Sequence, residues 1–301
     1  MSLKRELYED QRRKLRRWSF LKGFLLSSFI IAIAFIFMRK DFLSYPHIAV
    51  LEVVGEIYDD SERDAILREI SNDRNAYGLM LKINSPGGSV VGAESIYESI
   101  RAVAVETPVV VLIGEVGASA AYIAALGGDK IFVRGNSLVG SIGVIVQYPD
   151  LSKLAELIGV SVSVIKSSEA KGGPHPLKPM GEDSRRFQEA LVNDSFQWFK
   201  DLVSKRRGIV GDELERISAG QLFTGRMAID LKLADGLGSH YEALEYLENQ
   251  DDKFVNLPLK NWGAENEKIP FWIDFFGFMN STSLIKKINL RFTPMLFSIT
   301  S

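Results

Sequence analysis

Apolar residues along this chain fall into short unbroken runs, separated by segments in which they recur every three or four positions. His47–Glu56 (HIAVLEVVGE), Tyr77–Asn84 (YGLMLKIN) and Pro108–Gly114 (PVVVLIG) have strand length and β-branched character, the last bounded by Pro and Gly. They predict buried strands. Ser61, followed three residues later by Asp64, signals a helix start ahead of Ile66 and Ile70, and Ala93, Ile96, Ile100 and Val103 repeat at helical spacing. Strands alternating with helices imply parallel β-α-β units and an α/β fold. Further on, Lys130–Val133 and Val160–Ile165 are strand candidates. Asp183–Arg207 reads as a long amphipathic helix with Phe187, Leu191, Trp198, Phe199 and Leu202 on its apolar side. No internal repeat suggests a solenoid.

Both ends depart from this pattern. Gly23 to Met38 carries no charge, and with Trp18, Phe20 and Leu21 the apolar stretch approaches the roughly 20 residues that cross a bilayer as helix. Residues 20–38 are therefore expected to be a transmembrane anchor, after a basic leader over residues 1–19. Lys4, Arg5, Arg12, Arg13, Lys14, Arg16 and Arg17 crowd the leading side, which places the N-terminus in the cytoplasm and the rest outside it. A cleavable signal peptide ending near Ala32-Ile33-Ala34 is the competing reading, but the basic leader is over-extended for one. Residues 45–250 form the expected globular domain. Residues 251–301 form a tail that includes Pro270-Phe271-Trp272-Ile273-Asp274-Phe275-Phe276-Gly277-Phe278, whose aromatic density calls for packing on the domain, on another subunit or on a membrane surface.

Composition narrows the chemistry. The 301 residues are 46% apolar and 25% charged, enough for a packed core. Residues 1–40 hold ten Lys/Arg against three Asp/Glu while the whole chain has a net charge of -2, so the remainder is acidic and nucleic acid is not expected as a partner. Cysteine is absent, which excludes disulfides, a thiol nucleophile and thiolate metal sites.

Three segments carry candidate chemistry. Asn84-Ser85-Pro86-Gly87-Gly88 closes a predicted strand, and its paired glycines can turn sharply and present bare N–H groups, as an oxyanion hole requires. Gly114-Glu115-Val116-Gly117-Ala118-Ser119-Ala120-Ala121-Tyr122 leaves the next strand and enters a helix of small residues, Ala120 to Leu126. Ser119 is thus either a plain N-cap or a nucleophile at a helix start. Val164 to Pro174 supplies lysines in a strand-to-loop setting; a lysine acts as a base for serine only where burial or nearby positive charge lowers its pKa. By composition Lys166, Lys171 and Lys178 are equivalent.

Together these segments resemble the signal peptide peptidase A (protease IV) family of serine peptidases, whose domain is similar to the Clp protease and crotonase fold. The resemblance spans roughly residues 47–245. It rests on the Asn-Ser-Pro-Gly-Gly turn, the serine segment ending in Tyr122, Gly140-Ser141-Ile142-Gly143-Val144, the Ser-x-x-x-Lys segment and Phe223-Thr224-Gly225-Arg226-x-Ala228. It implies a β-α-β superhelical domain that follows the anchor, with Ser119 as nucleophile, Lys171 as general base and Ser141 orienting the lysine. The backbone N–H groups of Gly88 and Ala120 would hold the oxyanion. It also implies no metal and no cofactor, a homo-oligomer whose active sites are shared between subunits, and remnant signal peptides or other apolar, membrane-released peptides as substrates. The domain would face outward from the inner membrane. Two departures stand out: Ser119-Ala120-Ala121-Tyr122 replaces the family's Ser-Gly-Gly-Tyr, and Ser168 replaces a glycine. The alternative is a catalytically inactive oligomeric scaffold of the same fold.

Overall fold

A computed structural model of the protein describes Trp18 and residues 22–31, 45–168 and 171–263. The chain divides at Trp262 into one compact unit over residues 1–262 and another over 263–301, of which only Gly263 is described. Of the expected anchor, residues 22–31 are helical. The rest of it, the leader apart from Trp18, and the aromatic run 270–278 lie outside the described residues. Among the described residues no helix is long and apolar enough to cross a membrane.

The sheet is built from β1 (His47–Val54), β2 (Ala76–Ser85) and β3 (Val109–Ala118), all parallel, with α1 (Ser61–Asn72) and α2 (Val90–Val103) as the crossovers. After β3 come α3 (Ala120–Leu126), β4 (Lys130–Val133) and β5 (Leu138–Gly140). β4 pairs with Val110–Ile113 of β3 and β5 with Val116–Ala118, so β3 changes neighbour midway along its length. The chain then departs through α4 (Ser152–Leu157), α5 (Glu182–Arg207) and α6 (Asp212–Ile217). It returns as β6 (Leu222–Thr224), antiparallel to β5, followed by α7 (Gly225–Asp230), β7 (Gly236–Leu237) and α8 (His240–Glu248). β8 (Leu259–Trp262) completes the order β6-β5-β3-β2-β1-β8, parallel to β1.

Each central strand is covered on both faces, which is why its sequence shows an apolar run rather than alternation. Leu51, Leu81, Ile83, Val111 and Ile113 face the main core with Leu67, Ile96, Ile100, Phe199 and Val203 from the helices. Ile48, Val50, Met80 and Val110 face a smaller core closed by Leu247 of α8 and Phe254.

Several expectations are corrected. Val160–Ile165 is irregular, with Val160, Val164 and Ile165 exposed, because among the described residues no neighbouring strand offers it backbone partners. The cap of α1 is Asp60, not Ser61: its carboxylate accepts from the N–H groups of Glu62 at 3.0 Å and Arg63 at 3.1 Å. α5 packs its apolar side chains mainly through its second half; Phe199 and Leu202 are buried, while Phe187 and Leu191 are exposed. Residues 252–262, grouped with the tail by composition, contribute the buried Phe254 and strand β8.

Candidate active site

β3 ends in a bulge, and the bulge decides what stands opposite what. Ile83 pairs with Ile113, yet Ser85 pairs with Gly117, so β3 spends two more residues than β2 over the same span. Gly87 is thereby carried beside Ser119. A Cβ built on Gly87 would lie 2.9 Å from Ser119 Cβ, 3.1 Å from the Ala118 carbonyl oxygen and 3.3 Å from Ala120 N. With φ at +122°, this position also needs glycine for its backbone conformation.

Ser119 joins β3 to α3 with φ 55° and ψ −121°, a conformation that costs a non-glycine residue about 1–3 kcal/mol. The surrounding structure holds it there: Ser119 N–H donates to the Gly140 carbonyl at 2.9 Å, and its own carbonyl accepts from Tyr122 N–H at 2.9 Å. The hydroxyl does not cap the helix, so the N-cap reading of this serine fails. Half-exposed at the head of a buried helix, Ser119 resembles the strained strand-to-helix serine of a nucleophile elbow. Tyr122, fully buried, anchors the helix by donating its hydroxyl to the Leu233 carbonyl at 2.8 Å, and burial pushes its pKa up.

The glycine turn is fixed from its far side. Ile57 N–H donates to the Gly87 carbonyl at 2.8 Å, and Ser89 N–H donates to the Ile57 carbonyl at 2.9 Å, a parallel bridge centred on Gly88. In such a bridge the N–H of Gly88 points away from Ile57. A Cβ at Gly88 would lie 1.9 Å from the Ile57 carbonyl oxygen, so only glycine fits. Ala120, the first residue of α3, has an N–H with no partner inside the helix.

Ser141 follows Gly140 directly and shares the left-handed region, with φ 49°. Its N–H donates to the Gln221 carbonyl at 2.8 Å. The Phe223–Arg226 segment supports this corner: Phe223 pairs with Val139 and packs on Gly140, and Thr224 caps α7. Gly225 lies where a Cβ would meet the Arg134 carbonyl oxygen at 2.0 Å, and Arg226 donates to Asn136 at 2.6 Å. Gln221 was not singled out from sequence, and Gly140 only as the first residue of a motif, because their part is played by backbone carbonyls that no side-chain pattern reports.

Lys171 is elsewhere. It is exposed, in a turn where its N–H donates to the Ser168 carbonyl at 3.1 Å, and no hydrogen bond joins its side chain to Ser119 or Ser141 among the described residues. Lys178 is half-buried in a turn closed by its N–H on the His175 carbonyl at 3.1 Å. The structure thus gathers Gly88, Ser119, Ala120 and Ser141 at one end of the sheet and leaves Lys171 on the segment that departs from Ser141. Among the described residues no cluster of potential ligands could hold a metal ion.

The model of the family described as Peptidase family S49 matches residues 101–253, just over half the chain, and that of Clp protease matches residues 48–137. The chain belongs to peptidase family S49. The S49 match takes in Ser119, Ser141, Lys171 and Phe223, whereas Gly87 and Gly88 fall within the Clp protease match. A Methanocaldococcus jannaschii protein provisionally named a protease is 28% identical over 225 residues, 73% of this chain and 72% of its own. A similarly named Synechocystis protein is 31% identical over 201 residues, 66% of this chain and 72% of that one. Protease 4 of Haemophilus influenzae is 28% identical over 219 residues, 69% of this chain but 35% of its own length. As an S49 member related to signal peptide peptidase A and protease 4, the chain is a serine-type peptidase with a Clp protease-like α/β domain.

Proposed function

We propose that this S49 chain is a membrane-anchored endopeptidase with a serine–lysine dyad, degrading remnant signal peptides or other apolar peptides released from the membrane. Its N-terminus lies in the cytoplasm, residues 20–38 cross the membrane, and the catalytic domain faces outward. The observation that carries this reading is Ser119: a hydroxyl free of capping duty, held in a strained backbone conformation against a turn where only glycine fits.

Lys171 meets Ser119 across the seam between two copies of the chain. In support, the segment that bears Lys171 exposes Ile145, Leu157, Ile158 and Ile165, apolar side chains of the kind a partner surface covers. In the assembled site, neutral Lys171 Nζ takes the Ser119 hydroxyl proton as Oγ bonds to the substrate carbonyl carbon. The electron pair of the C=O moves to oxygen, where the N–H groups of Gly88 and Ala120 stabilise it, each worth about 2.7–4 kcal/mol. As the C–N bond breaks, the lysine ammonium protonates the leaving amine. Water then attacks the acyl ester, giving its proton to Lys171, and the regenerated ammonium returns a proton to Ser119. Ser141, at the root of the lysine segment, orients the amine in the assembled site. An inactive scaffold would have no need of the strained serine.

The test uses Ser119→Ala and Lys171→Ala, each made in the full chain. Each is expected to abolish peptide hydrolysis when alone, and a co-assembled mixture of the two to regain part of it. Full activity in either single variant would sink the dyad, and a dead mixture would sink the shared site.

A further inference from the structure

We propose that Asn84 is a positioning residue, the clasp that holds the β3 bulge at the length that sets Ser119 opposite the glycine turn. The proposal rests on Ser119 being the nucleophile. Without the two surplus residues, Ser85 would pair with Glu115 and Gly87 would face Gly117. With them Ser85 pairs with Gly117, and Gly87 comes against Ser119.

A bulge removes backbone groups from the strand ladder, and each one then needs another partner. Two side chains supply them. Asn84 Oδ1 accepts from the N–H of Val116 at 3.1 Å, and the hydroxyl of the buried Ser137 donates to the carbonyl of Gly114 at 2.5 Å. Asn84 is itself held from the other side, since its carbonyl accepts from Gly55 N–H at 3.1 Å. It therefore ties β1, β2 and the bulge together three residues before Gly87. Gly114 lies against the Asn84 side chain: a Cβ there would make ordinary contact, 3.6 Å from Asn84 Cβ and Cγ. What the position demands is an acceptor oxygen of this reach, which aspartate provides and leucine of similar size does not.

The experiment compares Asn84→Leu and Asn84→Asp in the full chain, reading kcat and KM for a peptide, the rate at which a fluorophosphonate labels the serine, and hydrogen exchange over residues 114–118. For the leucine variant, kcat and labelling should fall on the order of 100-fold, the usual result of displacing a reacting group by about 1 Å. KM should move no more than about twofold, because substrate binding elsewhere is untouched. Exchange at Val116 should speed up. Asn84→Asp should restore all three readings. A leucine variant with normal kcat despite fast exchange at Val116, or an aspartate variant as impaired as leucine, overturns the proposal. Where leucine prevents folding, Asn84→Ala removes the acceptor without added bulk and is read in the same way. Ser119→Ala, run beside them, separates the failures: if it stays active the nucleophile assignment falls, and if it is dead while Asn84→Leu is active, only the clasp falls.

Discussion

The body of the sheet and the segment that leaves it after Ser141 treat the same kinds of residue in opposite ways. In β1–β3 every Ile, Leu and Val of the core is almost wholly hidden, and a single glycine contact decides what fits. Between Ile145 and Ile165, residues of equal hydrophobicity lie in solvent, Ile165 fully so. The difference teaches where the enzyme is finished. The proposed nucleophile and oxyanion turn are completed by contacts within one chain, and the proposed base is carried on a piece whose packing is left open among the described residues.

Breaking the body's half should have the largest effect. Gly87→Ala places a Cβ 2.9 Å from Ser119 Cβ at a backbone φ of +122°, and peptide hydrolysis should fall by about 10²–10³, comparable to the loss of an oxyanion donor. A variant that keeps its activity would show that the turn does not set the serine. Charging the open half comes next. Leu157→Asp with Ile165→Asp should weaken assembly and lower activity together, by less than the glycine substitution does, seen by sedimentation and peptide assay. Both side chains are exposed within one chain, so thermal unfolding of the isolated chain should shift by no more than about 0.5 kcal/mol per substitution. Loss of activity with assembly intact would refute that division of labour. The smallest effect sharpens the contrast from inside the core: Tyr122→Phe leaves the Leu233 carbonyl without its donor and should cost about 1–3 kcal/mol in denaturant unfolding.

What the sequence made legible follows the same boundary. β1, β2 and β3 could be read directly because burial on both faces writes itself as an apolar run, and α3 because its small residues follow a strand without interruption. Val160–Ile165 has the composition of a strand and no partner, and composition cannot report a missing neighbour. β8 shows the converse: Leu-Lys-Asn-Trp carries little strand signal, and its place is fixed by backbone bonds to β1, more than two hundred residues away in the chain. At the site, the glycine turn, Ser119 and Ser141 stand out as segments, and the fold brings those segments together. The β3 bulge could not be seen, since register is a relation between strands rather than a property of either. Nor could the Asp60 cap of α1, where an aspartate one residue earlier outcompetes the serine.

The bond from Ser119 N–H to the Gly140 carbonyl also has a mechanical meaning. Gly140 is the last residue of β5, and the next peptide unit starts the open segment that carries Lys171. Any tension or ordering imposed on that segment by a neighbour is transmitted through one peptide plane to the backbone of Ser119, the proposed nucleophile. On the proposed reading, delivery of Lys171 and fine adjustment of Ser119 are geared to the same lever.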